Sequence, residues 1–228
     1  PSTYSSLLTI LQTGCGVEKG VVSRGVSFPR FQKPHAQMRY LFFDTETTGL
    51  PPKPKPPVTD TDNWPRVVQI AWARVSTDPH AIDRTLSYII RPDGFTIPED
   101  AAEVHGISTE RAEAEGYPRG EVLEAFSRAV GVSDVLVAHN MSFDLPVVGA
   151  ELVRLRGTNI LQDVPTICTK EASTDFCKIP FPHGGRGYKW PTLQELHETL
   201  FSRRFGGAHD AGADVKAGAR CFLELSRR

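Results

Sequence analysis

The stretch YLFFDTETTGLPP, Tyr40 to Pro52, constrains this chain of 228 residues more than any other. Tyr40 to Phe43 read as a buried strand that runs straight into Asp44 and Glu46, and Gly49 and Pro51 then break the chain. A strand sends residues i and i+2 to the same face, so the two carboxylates point the same way. Unit charges that close repel by about 4 kcal/mol at a partly shielded site. The fold must therefore supply a cation between them or let them share a proton.

Two further acid-bearing segments sit where chain geometry favours an exposed site. In VAHNMSFDLP, Asp144 stands just beyond the end of a second strand, at the start of a helix. In GAHDAGADVKA, Asp214 lies in the first turns of the last helix, with His209 ahead of it. Helix positions five apart diverge by about 140°. His209 must then sit in the preceding loop to approach the same place, and Gly206 and Gly207 allow that loop. Taken singly, Asp144 reads as an acid favoured by a helix N-terminus, and Asp210 as an N-cap. Their joint occurrence in this order carries the signal.

From Met38 onward the chain reads as one α/β domain. RVVQIAWARVS and RTLSYIIRP are β-rich runs at hairpin distance. Pro98 and Ser108 are expected to start short helices, and GEVLEAFSRAVG is a stronger one. DVLVAHN reads as a short buried strand. Leu145, Val148, Leu152 and Leu155 then recur on one helix face. TLQELHETL opens on a capping box, Thr192 with Glu195, and DAGADVKAGARCFLEL forms the last helix. Antiparallel strands followed by alternating strands and helices predict a mixed sheet covered by helices.

Residues 1–37 differ: Lys19, Arg24, Arg30 and Lys33 stand against the single acid Glu18. They are expected to be a loosely structured extension, with an organellar targeting remnant as the alternative. The formal net charge of -1 argues against coating nucleic acid by bulk electrostatics, so any such contact must be a local patch. The four cysteines show no C-x-x-C pair, which favours free thiols over a zinc or disulfide framework. No apolar run approaches the roughly 18 residues of a membrane span.

FDTETTG, HNMSFD and HDAGAD together resemble the three exonuclease motifs of the DnaQ-like superfamily, in the subgroup named for three Asp, one Glu and one His. The resemblance spans roughly residues 38–225, with 38–228 expected to form the exonuclease domain, and the PPVTDTDNWPRVVQIAW stretch is similar to what bacterial members carry after the first motif. It implies a ribonuclease-H-like fold, a five-stranded mixed sheet flanked by helices. It implies hydrolysis of nucleic acid from the 3′ end with release of 5′-mononucleotides. On this chain it makes Asp44, Glu46, Asp144 and Asp214 the metal-binding carboxylates and His209 the general base. A pair of magnesium ions is the implied cofactor, with manganese able to substitute. The chemistry agrees, because hard oxygen ligands suit magnesium and an imidazole accepts a proton near neutral pH. A tyrosine base, used in a sister subgroup, would stand four residues before Asp214, where this chain has Asp210.

EVHGIS resembles a segment lining the 3′-nucleotide pocket in relatives, which assigns His105 a substrate role. Thr47 and Leu50 are expected to contact or wedge the terminal base, while Asn140 and Phe143 shape the site. Two loops set basic residues beside aromatics, Lys53 and Lys55 with Trp64, and Lys178, Arg186 and Lys189 with Phe181, Tyr188 and Trp190. Such mixtures bind single strands or simply anchor a loop to the core. The expected partners are single-stranded DNA or RNA 3′ ends, with DNA favoured, and a DNA polymerase if the role is proofreading. RNA 3′ trimming and a catalytically silent binding module are the alternatives. The expected location is intracellular: cytoplasmic in a bacterium, organellar or nuclear if residues 1–37 target the chain.

Overall fold

The computed structural model describes residues 38–228 and two short strands, β1 (Gly20–Val21) and β2 (Ser27–Phe28), which pair antiparallel. Apart from those four residues, the expectation for 1–37 lies outside the described residues.

The main sheet is built around β3 (Tyr40–Thr47), whose first four residues are each at most 1% exposed. On one side β3 pairs antiparallel with β4 (Val67–Thr77), and on the other it runs parallel to β7 (Val135–Ala138). β8 (Thr166–Cys168) extends the sheet beyond β7, again in parallel. β5 (His80–Ile82) and β6 (Leu86–Ile89) pair with successive stretches of the far edge of β4. The sheet thus has six strands but is five positions wide, as expected. RVVQIAWARVS and RTLSYIIRP supply β4 and β6.

Helices cover both faces, and the alternation along β3 decides which residues meet which helix. Leu41 and Phe43 face α3 (Arg119–Gly131) and α4 (Met141–Arg156), with Phe43 and Phe126 rings 5.5 Å apart. Tyr40 and Phe42 face the C-terminal helix α8 (Ala211–Ser226), with Tyr40 and Phe222 rings 4.9 Å apart. A Cβ on Gly218 would lie 2.3 Å from Phe42 Cζ, so the helix comes this near only because that residue has no side chain.

The smaller helices are α1 (Glu99–His105), α2 (Thr109–Glu115), α5 (Thr169–Ala172), α6 (Thr174–Cys177) and α7 (Leu193–Phe201). Pro98 and Ser108 precede α1 and α2 as expected, and the Ser108 hydroxyl accepts from Arg111 N. The capping box of Thr192 and Glu195 is present at the start of α7. Among the described residues, no helix is long and apolar enough to cross a membrane.

Candidate active site

Because β3 and β7 are parallel, the end of β3 and the segment leaving β7 emerge at the same edge of the sheet. Asp44 and Glu46 share parity with Tyr40 and Phe42 and so face α8, whose first turn carries Asp214. Thr45 has the opposite parity and meets α4, the helix that follows β7. There Asp144 Oδ1 accepts from both Thr45 N, at 3.2 Å, and Thr45 Oγ1, at 2.8 Å. The sheet end therefore gathers acids from both covering layers.

Carboxylate oxygens of Asp44, Glu46 and Asp214 all lie within 4.8 Å of one another. Asp144 is almost fully buried, and its charge acts on both Asp44 and Glu46. Burial, followed by the charges of Asp144, Asp214, Glu46 and Asp210, holds Asp44 well above the usual carboxylate range. Burial, followed by the charges of Asp214, Asp144 and Asp210, pushes Glu46 up to about 8. Asp144 rises to about 7 because burial outweighs its bonds from Thr45. Asp214 rises to about 6, again through burial, against the opposing pull of His209. A cluster held in this state has a strong affinity for positive charge.

The donor set fits a hard divalent cation. Asp214 Oδ2 accepts from His209 N at 3.2 Å, but its Oδ1 is buried without a hydrogen-bond partner. A buried carboxylate oxygen left unpaired is costly, and an oxygen-seeking cation amid three other acids removes that cost.

His209 sits in the loop before α8, at a φ of 67°, with its side chain exposed. Its charge acts on both Asp214 and His105, so the three side chains lie within electrostatic reach of one another. His105 is buried at the end of α1. Its Nδ1 accepts from Ile107 N at 3.2 Å, leaving the proton on Nε2 beside the Thr47 backbone. Thr47 is itself buried and donates its hydroxyl to Gly49 O at 2.7 Å, whereas Leu50 is 80% exposed. Asn140 directly precedes α4 and accepts from Lys170 Nζ at 2.5 Å through Oδ1, and Phe143 packs against the core below. Thr47 thus closes β3 with Leu50 projecting from the segment after it, His105 ends α1, and Asn140 and Phe143 stand at the start of the helix that carries Asp144.

Three supporting residues are absent from the sequence reading. Thr45 holds Asp144 as described. Gln69 pairs across from Glu46 and bonds the start of α8, with Asp210 Oδ2 at 3.0 Å and Ala211 N at 3.0 Å. Lys170 reaches Asn140 from α5. Register and parity identify the first two, but only once β4 is paired with β3. Asp210 is the N-cap of α8 as expected, accepting from Ala213 N, and it adds a fifth negative charge beside the cluster.

The RNase_T exonuclease family model matches residues 41–222. A DNA polymerase III subunit epsilon-like protein of Rhodobacter capsulatus is 35% identical over 126 residues, 55% of this chain and 16% of that protein. The DNA polymerase III subunit epsilon of Treponema pallidum is 34% identical over 119 residues, 52% of this chain and 48% of that one. The chain thus spans less than half the length of either relative. Among solved structures, E. coli exonuclease I in complex with a dT13 oligonucleotide superposes with a TM-score of 0.67 at 19% identity, covering 84% of this chain and 41% of that chain. That likeness establishes the fold. With the family model matched from β3 to α8, and its three acidic motifs meeting at one sheet edge, the chain belongs to the RNase_T exonuclease family, in its DnaQ-like branch with a histidine in the third motif.

Proposed function

We propose that the chain is a metal-dependent 3′→5′ exonuclease that shortens single-stranded or frayed DNA and releases 5′-mononucleotides. One observation carries this reading: carboxylates from β3 and α8 lie within 4.8 Å of one another around a buried, unpaired Asp214 oxygen. Asp44, Glu46, Asp144 and Asp214 would hold two magnesium ions, or manganese in their place. Bound there, the cations supply neutralisation of charge at the scissile phosphate and activation of the attacking water.

The chain's own residues provide the rest. Asp44, which feels the charges of both Asp144 and Asp214, would be the carboxylate shared by the two cations. His209 Nδ1 or Nε2, exposed at the rim, takes the proton of the attacking water and passes it to solvent. Thr47 and Leu50, on the segment leaving β3, face the terminal nucleotide, with Leu50 as a wedge against its base. His105 holds its Nε2 proton towards that same segment. DNA is favoured over RNA, and work alongside a polymerase is proposed, because one relative named above is a DNA polymerase III subunit epsilon and the other an epsilon-like protein.

The test is a 5′-labelled DNA single strand incubated with magnesium, then with chelator. A ladder shrinking from the 3′ end only with magnesium supports the reading. A strand that stays intact yet bound indicates a silent binding module, and faster shortening of a matched RNA strand indicates 3′ trimming of RNA.

A further inference from the structure

We propose that the loop formed by residues 178–190 is a platform for the single strand on the 5′ side of the bond to be cut, with Trp190 stacking on a base and Lys178 and Arg186 facing phosphates. This rests on the nuclease reading above and extends it to the upstream strand.

Residues 178–190 contain three basic residues and no acid, in a chain whose formal net charge is -1. Lys189 is taken by Glu195, at 2.6 Å to both carboxylate oxygens, but among the described residues no ion pair engages Lys178 or Arg186. The same loop leaves Trp190, Phe181 and Tyr188 59%, 43% and 38% exposed. Tyr40, Phe42 and Phe126, by contrast, are fully enclosed. Aromatic faces in water among free cations are how binding to single strands is built when sequence is not read.

The loop is fastened at its base. Lys189 N donates to Ile179 O at 2.9 Å, and Pro191 O lies 3.0 Å from His139 Nε2 at the end of β7. Its position relative to the carboxylates is therefore set by the sheet. Lys170 completes the link, with Nζ 4.7 Å from the centre of the Trp190 ring and 2.5 Å from Asn140 Oδ1. Asn140 directly precedes the helix that carries Asp144, and its backbone carbonyl accepts from Asp144 N at 3.1 Å. A chain of contacts thus runs from the indole through Lys170 and Asn140 to the acidic cluster. Lys170 lies over the ring, and the exposed remainder of the indole is open to a base. A protein partner docking on the aromatics would gain nothing from two unpaired cations, whereas a phosphodiester strand supplies both bases and negative charge.

The experiment compares Trp190→Ala and Trp190→Phe with the parent on two substrates, a DNA strand of about 12 nucleotides, within the single-strand footprints known for such grooves, and the p-nitrophenyl ester of thymidine 5′-monophosphate. Trp190→Ala is expected to raise KM on the strand by roughly 5- to 150-fold, the range for one lost base stack. Its kcat on the strand and its turnover of the ester stay within about twofold of the parent, and Trp190→Phe recovers most of the loss. An unchanged KM on the strand, or an equal loss on both substrates, overturns the proposal. The double variant Lys178→Ala, Arg186→Ala alters only exposed charges. It should make the slope of log affinity against log salt shallower by about 1.4, and an unchanged slope counts against the platform. Strand affinity by fluorescence anisotropy in chelator separates the two readings. If the parent cleaves nothing, the nuclease reading fails, while weaker binding by Trp190→Ala would still support the platform and equal binding would remove it.

Discussion

Gln69 and Asp210, 141 positions apart in the chain, are joined by a hydrogen bond of 3.0 Å from Gln69 Nε2 to Asp210 Oδ2. The same side chain accepts from Ala211 N through Oε1 and donates to Ser87 Oγ. Gln69 is also the cross-strand partner of Glu46. One buried amide therefore ties the strand beside Glu46 to the helix turn that carries Asp214, and sets the spacing between those two acids. Replacing Gln69 by Leu should cost about 1.5–3 kcal/mol, the range for hydrogen bonds to charged groups. It should also raise the magnesium concentration needed for half-maximal activity. Titrating magnesium at saturating substrate checks this, and a variant that merely melts earlier with unchanged metal dependence would deny Gln69 its positioning role.

Thr45 and Gln69 show where the sequence is legible and where it is not. Parity along YLFFDTET puts Asp44 and Glu46 on one face without any structure, and the apolar run marks the strand as central. What parity cannot supply is register. That Gln69 lies opposite Glu46, or that Asp144 meets Thr45, follows from pairings between segments far apart in sequence. β8, with three residues, and α5 and α6, with four each, are too short to carry a period, and β8 is placed by its pairing with β7. The helix starts at Pro98, Ser108, Thr192 and Asp210 are legible because capping is a local interaction.

His209 is exposed and its imidazole makes no core contact, so its replacement separates chemistry from folding. Under the proposed mechanism, His209→Ala should lower kcat by roughly 10²–10⁴ near pH 7. Its melting temperature should match that of the parent, because only the backbone N–H at this position bonds to Asp214. A melting-temperature collapse would mark a structural histidine instead.

The acidic cluster makes stability depend on pH with a definite sign. In the metal-free fold Glu46 is pushed up to about 8 from 4.5 and Asp144 to about 7 from 3.8. The folded chain thus holds more protons than the unfolded chain across that window, and its stability falls as pH rises through it. The contribution is complete below about pH 4 and lost by about pH 8. A divalent cation takes the place of those protons. Melting curves in chelator should therefore decline from pH 5 to 8, and the gain on adding magnesium should widen over the same range. A gain that does not vary with pH would contradict the picture.

Glu151 is 1% exposed and carries its charge in the middle of α4. Arg66, Arg154 and Arg119 surround it at 2.7, 3.0 and 3.3 Å, and Arg154 also donates to Trp64 O at 2.6 Å and to Thr61 O. Arg66 in turn accepts from Thr48 N through its carbonyl and donates its own N–H to Thr48 Oγ1, just past the site strand. Glu151→Ala should cost about 3 kcal/mol, the low end for breaking a buried pair, because it leaves three partly buried guanidinium groups without a counter-charge. Chemical denaturation measures this directly. A loss below 1 kcal/mol would mean that solvent reaches these arginines.

Gly218 has no acid and touches no substrate, yet it governs how near α8 lies to β3. A methyl group there would sit 2.3 Å from Phe42 Cζ and 2.6 Å from Cε1, inside any van der Waals contact. Phe42 is 1% exposed and enclosed by the same core cluster, so its ring has no space into which to withdraw. The helix itself must shift, and Asp214 lies one helical turn up from Gly218 on that rigid element. In an open helix, Gly→Ala gains up to about 1 kcal/mol; here overpacking should reverse the sign, costing about 1–3 kcal/mol. The displacement of Asp214 should also raise the magnesium concentration needed for half-maximal activity, as with Gln69→Leu. The double variant Gly218→Ala, Phe42→Leu removes the offending ring atoms. It should recover the metal response even where stability stays low, and failure to do so would show that Phe42 is not what holds the helix away.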